Sequence, residues 1–372
     1  MRIVILDPAL ARDSGGHSRW SIAMRDRLVA HWDDTVELVG RAVAADPSGG
    51  HGSSAENTVP FREYFSINPY WNWSWRSPPG NNSVKKTIFN EFAAAFNHYS
   101  SFDQAIVPTA FPQNILAALA TSNRPRAINM VMHFGQEEYG DFSQLLQPDI
   151  MTQLQAPLES GIRLLTTTAS LAQQYHDLGI PAESLPYYTE PLEELARRKH
   201  LRCVGILGAQ RDEKDGGLIL PLIDQCLKSG LVVNYQEPRQ AFWPSFSHPR
   251  LQIFKEKNLD TQTFNEAVIG CDALLVLNDT ATFDSRRLSG LTVDALIHGV
   301  PVIVPAHTHM SRLCGRFYAG QCYEERTVQS IFRALVSLNK NYAACVAGAQ
   351  RAAEMLRREH GAARYIDACR GG

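Results

Sequence analysis

No apolar run in this chain approaches the roughly 18 residues that a membrane-spanning helix needs, and no cysteine occurs before Cys203. The seven cysteines, Cys203 to Cys369, are odd in number and lack paired spacing. That argues against a disulfide framework or a zinc site and for a reducing cytosol. A surplus of charge is also missing: 36 Lys and Arg face 38 Asp and Glu, for a net −2. No global basic field therefore points to nucleic acid. No fixed-period repeat is present. The dinucleotide spacing G-x-G-x-x-G does not follow the first apolar run, so NAD binding is not indicated. The stretch MRIVILDPAL holds a single Arg and reaches Asp7, and it reads as a first strand rather than a signal peptide.

What remains is the composition of a globular protein, with 44% hydrophobic and 20% charged residues over 372 positions, long enough for two domains. Short apolar β-runs alternate with helical spacing along the chain, the signature of an α/β fold. Arg2 to Leu6 is a strand, followed by a polar loop containing Gly15, Gly16 and His17 and by a helix from Ser18 to His31. Strand, glycine loop and helix is an arrangement that cradles phosphates. The same glycines also suit a tight loop needing positive φ. Val84 to Tyr99 carries Ile88, Phe89, Phe92, Ala95 and Phe96 on one helical side. Ala105 to Val107 reads as a strand that stops at Pro108. Ala127 to Met132 is a strand that delivers His133 to its C-terminal end, the end at which α/β sheets bind ligands. Glu137 and Glu138 follow, facing an acceptor hydroxyl or water. The segment Tyr64 to Asn82, with Trp71, Trp73 and Trp75 alternating with polar residues, suits either an aromatic platform for a sugar or an insertion packed on its own domain.

The chain is organised around RRLSGLTVDALIHGVPVIVPAHTH, residues 286–309. Ser289 and Gly290 stand where a helix begins, Asp294 lies one turn further on, Gly299 suits the helix C-terminus, and Val300 to Val304 is a covered strand. The start of such a helix offers N–H groups and a positive dipole end to an anion. A carboxylate one turn in can accept hydrogen bonds from sugar hydroxyls. Earlier, Leu201 to Leu207 is a strand that runs into a polar loop with Arg211 and Lys214. Two cations there would neutralise a diphosphate. The alternatives are an ordinary capped helix and a solvated charged turn.

These residues resemble the retaining glycosyltransferases of the GT-B fold, in the broad family 4 group. Asp294-Ala295 and Gly299-Val300-Pro301-Val302 match the second half of that family's Glu-x7-Glu motif, with Asp for Glu, whereas Arg286 stands where the first Glu would fall. Arg287-Leu288-Ser289-Gly290 and Gln210-Arg211-Asp212-Glu213-Lys214 fit a subgroup pattern; Ala209 replaces the usual Arg. The resemblance implies two Rossmann-like domains facing a central cleft: an acceptor domain over 1–190, a nucleotide-sugar domain over 191–356, and a segment over 357–372 packing back on the first.

It implies transfer of a sugar, a hexose by preference, from a nucleoside-diphosphate donor to a glycan, lipid-linked or small-molecule acceptor. Configuration would be retained, and neither metal nor cofactor would be required. Arg211, Lys214 and His133 would be catalytic. Gly15, Gly16, His17, Arg287, Ser289, Gly290, Leu291 and Asp294 would bind the donor. Polysaccharide assembly in the cytoplasm, with room for peripheral association at the inner membrane face, is the setting such enzymes commonly have. The departures at Ala209, Arg286 and Asp294 keep a second reading open, a catalytically silent GT-B subunit that binds a nucleotide sugar or a partner.

Overall fold

The computed structural model describes residues 1–10, 18–32, 34–41, 61–67, 82–138, 142–185, 199–208, 217–236, 248–255, 259, 261–278, 280 and 286–370. The chain divides into two compact units. The first comprises Met1–His51, Ala55–Tyr187 and Ala362–Gly372; the second comprises Gly52–Ser54 and Tyr188–Gly361.

The first unit is built on a seven-stranded parallel sheet. Its strands are β1 (Arg2–Leu6), β2 (Thr35–Arg41), β3 (Arg62–Phe65), β4 (Gln104–Ala110), β5 (Ala127–Met132), β6 (Ile162–Thr166) and β7 (Glu183–Ser184), in the order β3-β2-β1-β4-β5-β6-β7. Helices α1 (Ser18–Trp32), α2 (Asn82–His98), α3 (Pro112–Ala120), α4 (Pro148–Gln155), α5 (Pro157–Ser160) and α6 (Ala169–Asp177) connect them. Ile3, Val4, Ile5 and Leu6 are all fully buried, as expected of a strand covered on both faces. On one face Phe92, Ala95, Phe96 and Tyr99 pack with Val4, Leu6, Val107 and Ile115. Phe65 stacks on Phe92 with ring centroids 4.8 Å apart.

One strand of this sheet runs further than its sequence expectation. β4 does not stop at Val107 but continues through Pro108 to Ala110. Its pairing with β5 becomes irregular between Val107 and Ala110. Proline cannot donate to a ladder, so it is accommodated where the register slips. The last strand pairs through Glu183 and Ser184, with Leu185 N–H reaching the Thr166 carbonyl at 2.7 Å. Residues 186–198, and Trp71, Trp73 and Trp75, lie outside the described residues.

The second unit repeats the plan with six parallel strands: β8 (Cys203–Ile206), β9 (Val232–Gln236), β10 (Leu251–Phe254), β11 (Ala273–Leu275), β12 (Val302–Pro305) and β13 (Gly320–Tyr323). The order is β10-β9-β8-β11-β12-β13. Its helices are α7 (Ile219–Lys228), α8 (Thr261–Ile269), α9 (Gly290–Ile297), α10 (His309–Phe317), α11 (Val328–Lys340) and α12 (Tyr342–Glu359). Val204, Ile206, Val233 and Tyr235 form one core with Leu222, Ile223, Ile331 and Leu335 of α7 and α11. Asp272 ties the sheet together at its base: its carboxylate accepts the N–H groups of Arg202 at 2.9 Å and Cys203 at 2.8 Å.

A final helix, α13 (Ala362–Arg370), belongs to the first unit. Side chains from three strands cap its carbonyl end. Gln104 Nε2 donates to the Cys369 carbonyl at 2.8 Å, Asn129 Nδ2 donates to the same oxygen, and Arg163 Nη1 donates to the Ala368 carbonyl at 2.7 Å.

In both sheets the chain order reverses once, between β1 and β4 and between β8 and β11. In α/β sheets ligands characteristically bind outside the carboxyl ends of the strands at such a reversal point.

Candidate functional site

In the second unit the segments leaving the reversal point are those after β8 and β11. Gly208, two residues past the end of β8, has φ +83°, a conformation that favours glycine, and its N–H donates to Gln236 Oε1 at 2.8 Å. Gln236 is only 3% exposed at the end of β9. It therefore fixes the point from which the Arg211 and Lys214 segment departs, while Arg211 and Lys214 themselves lie outside the described residues.

β11 leads through Asn278, and after it the chain is described at Thr280 and again from Arg286. Ser289 is the N-cap of α9, with extended backbone at φ −103° and ψ 113°. Its hydroxyl accepts the Thr292 N–H at 3.4 Å, and its carbonyl accepts the Thr292 and Val293 N–H groups at 3.1 and 3.2 Å. The first turn then has two further N–H groups, those of Gly290 and Leu291. Among the described residues neither makes a hydrogen bond. Two open donors at the positive end of a helix form an anion-binding arrangement. Gly290 and Leu291 are half-buried, and Arg287, which precedes the cap, is 9% exposed. Asp294, half-buried, lies one turn beyond the cap on the same helix. Arg287, Ser289, Gly290, Leu291 and Asp294 are thus gathered at one helix start.

The strand that follows α9 ends at Pro305, and two histidines come next. His307 adopts φ +59° and its exposed ring lies 3.2 Å from Glu324 Oε2. Thr308 caps α10, accepting the Ser311 N–H at 3.1 Å. His309 is half-buried, and its Nδ1 is enclosed with no hydrogen-bond partner. Burial, helped by the nearby charges of Arg312 and His360, holds its pKa down at about 4, so the ring is neutral.

In the first unit, His133 follows β5 directly. Its Nε2 lies 2.8 Å from the Pro108 carbonyl and 3.4 Å from Thr109 Oγ1. A carbonyl only accepts, so Nε2 carries the proton and donates. Glu137 is exposed and accepts from Gln174 Nε2 at 3.1 Å. Gly15, Gly16 and His17 lie outside the described residues. The element just before them, however, carries a group that the sequence did not single out. Asp7 is 2% exposed at the end of β1. Its carboxylate accepts the Ala9 N–H at 3.0 Å and the Ser21 hydroxyl at 2.6 Å. Burial pushes its pKa up, and those two bonds oppose the shift. The only sequence signal for Asp7 was its place as the polar residue that closes an apolar strand.

Comparison with solved structures gives strong likenesses over essentially the whole chain. Sucrose-phosphate synthase from Thermosynechococcus elongatus is 12% identical with a TM-score of 0.68, over 100% of this chain and 98% of that one. WaaG, a glycosyltransferase involved in lipopolysaccharide biosynthesis, is 11% identical with a TM-score of 0.61, over 100% of both chains. HepE of Anabaena, in complex with UDP, is 10% identical with a TM-score of 0.61, over 100% of this chain and 99% of that one. This fold is GT-B. No family model matches the sequence, and no curated protein does either. In this GT-B chain the strand order, and not sequence identity, carries the relationship. Among the described residues, no helix is long and apolar enough to cross a membrane.

Proposed function

We propose that this protein transfers a sugar, a hexose by preference, from a nucleoside-diphosphate donor to a glycan, lipid-linked or small-molecule acceptor, with retention of configuration. The observation that carries the reading is the open pair of N–H groups at Gly290 and Leu291, set beyond the carboxyl end of a sheet that reverses its order between β8 and β11. In the proposal those N–H groups bind the donor diphosphate and Asp294 accepts from the ribose. Arg211 and Lys214 neutralise the charge that builds on the leaving diphosphate, so that the reaction needs no metal. Retention requires no dedicated base, since the departing phosphate can take the acceptor proton. His133, Gly15, Gly16 and His17 are assigned to the same reaction, His133 as the group that touches the transferred sugar. UDP is the first base to try, because HepE is a structural relative solved with UDP and with UDP-glucose.

The test is thermal stabilisation by UDP, GDP, ADP, TDP and CMP. A nucleotide at about 100 times its Kd stabilises by roughly 2.7 kcal/mol. One clear hit, followed by slow hydrolysis of the matching nucleotide sugar that Lys214→Ala abolishes, supports the reading. Stabilisation without hydrolysis turns it toward a silent nucleotide-sugar-binding subunit, which the residues at Ala209, Arg286 and Asp294 favour. No shift with any nucleotide removes the donor assignment.

A further inference from the structure

Strands β9 and β10 present unlike faces. Val233, Tyr235 and Leu251 turn to one side and join the core with Leu222 and Ile331. By the two-residue period of a strand, Val232 and Asn234 of β9 and Gln252 and Phe254 of β10 turn to the other. All four line a cleft of about 410 Å³, to which α8 contributes Thr263, Glu266 and Ala267 from one helical stripe. That volume falls within the range of small-molecule sites, about 300–1,000 Å³. A sheet covered on both faces reads apolar, and so does the stripe of a helix packed against it. Here Asn234 and Gln252 instead stand opposite each other in the β9–β10 register, and Thr263 and Glu266 share their cleft. Helix and sheet meet through polar groups and leave space between them.

Asn234 is 6% exposed, one strand in from the edge of the sheet. The Cys271 thiol donates to the Ala267 carbonyl at 3.1 Å, so its sulfur is left to accept, and Asn234 Nδ2 donates to that sulfur at 3.5 Å. The amide nitrogen is thereby turned to Cys271 and the oxygen away from it. Among the described residues that oxygen has no hydrogen-bond partner, which is uncommon for a polar group so deeply buried. Glu266 accepts from Gln262 Nε2 at 2.9 Å through Oε1, and no cation among the described residues pairs with it. The exposed side chain of Gln252 makes no hydrogen bond among the described residues. No Lys, Arg or His is among the described residues that line the cleft.

We propose that this cleft binds a sugar ring of a neutral glycan, at a site separate from the donor helix. Asn234 Oδ1 and the Glu266 carboxylate accept from sugar hydroxyls, and the Gln252 amide both donates and accepts. Phe254, half-buried at the end of β10, offers an apolar surface to the C–H face of the ring. Walls without a cation disfavour a phosphate or carboxylate ligand. A single carboxylate with one oxygen already engaged, set among amides and an apolar ring, suits hydroxyls better than an ammonium group. Cys203 and Val232 open β8 and β9, so the cleft reaches the amino end of the sheet, whereas α9 begins beyond the carboxyl end of β11. Binding there does not depend on the nucleotide reading.

The test is saturation-transfer NMR on the intact chain with the methyl glycosides of glucose, galactose, mannose and N-acetylglucosamine, each titrated for its Kd. At least one should bind. Glu266→Ala should weaken it by roughly tenfold or more and Gln252→Ala by roughly 2- to 12-fold, the losses expected for a charged and a neutral hydrogen bond. Both positions are exposed, so two independent substitutions are available should one disturb the fold. Asp294→Ala should leave the sugar response unchanged, and the two cleft variants should leave any thermal stabilisation by a nucleotide unchanged. Sugar binding with no nucleotide response would support the cleft while removing the donor assignment. Binding of none of the glycosides overturns the proposal, as does a response that both cleft variants retain. A response lost in Asp294→Ala and kept in Glu266→Ala places the sugar in the donor site and overturns it too. Spermidine that binds where the glycosides do not overturns the ligand class.

Discussion

The imidazole of His133 donates through Nε2 to the carbonyl oxygen of Pro108, 2.8 Å away. That carbonyl is available because the β4–β5 register slips between Val107 and Ala110. One irregular strand therefore sets both the tautomer and the aim of the histidine beside it. His133→Ala should lower kcat for sugar transfer by at least tenfold. The lost hydrogen bond should cost only about 0.5–1.5 kcal/mol of stability. Steady-state kinetics beside a thermal melt checks this: a large fall in Tm with unchanged kcat would make the residue purely structural.

Gly290→Pro is a sharp test of the anion-binding helix start. Proline is favoured at the first helical position, where its missing N–H breaks no helical bond. Ser289 already has the extended backbone that a residue before proline requires, at φ −103° and ψ 113°. The fold should be unaffected, while nucleotide binding loses one donor to a charged group, worth about 1.5–3 kcal/mol, or roughly 10- to 150-fold in Kd. Calorimetric titration with the nucleotide found by thermal shift reads the change. Unaltered affinity would remove Gly290 from the donor site.

His309 sets a pH dependence. Its folded pKa of about 4 lies below the ordinary 6.5, so the unfolded chain binds the proton more readily than the folded one. The stability this neutral ring supports is fully present above pH 6.5 and is lost as pH falls from there to about 4. The loss is at most about 3 kcal/mol. Urea melts between pH 7 and pH 4 should show a shallower fall for His309→Gln than for the unaltered chain. Parallel curves would show that the ring is not held neutral.

Gly348 sits inside α12, where alanine is ordinarily the better helix former by about 1 kcal/mol. Here a Cβ would stand 2.3 Å from the Tyr318 carbonyl oxygen and 2.4 Å from that of Phe317. Both are backbone atoms, and Tyr318 is held in the left-handed region at φ +58°. Gly348→Ala should therefore destabilise, by about 1–3 kcal/mol. A chemical-denaturation curve decides the sign.

Much of the second unit was legible because its signals are local. Ser289 and Gly290 before a helix, Gly299 after it and the β-branched run to Val304 each announce themselves within a turn of the chain. His133 was legible for the same reason, as the polar residue that ends an apolar run. Asp7 and Gln236 were not singled out, because their importance lies in partners remote in sequence: Ser21 for one, Gly208 for the other. Pro108 misled the reading of β4 because a proline ordinarily ends a paired strand, and only the neighbouring strand shows that the register gives way around it.

The carbonyl end of α13 is held by Gln104, Asn129 and Arg163, all from the first unit's sheet. During synthesis those three side chains are made long before their acceptors, with the whole second unit emerging from the ribosome in between. The sheet of the first unit must therefore wait, with one flank uncovered, until residues 362–370 arrive. A premature stop anywhere in the second half would release a chain whose N-terminal sheet is complete in sequence yet has a polar, unsatisfied side open to the wrong partners.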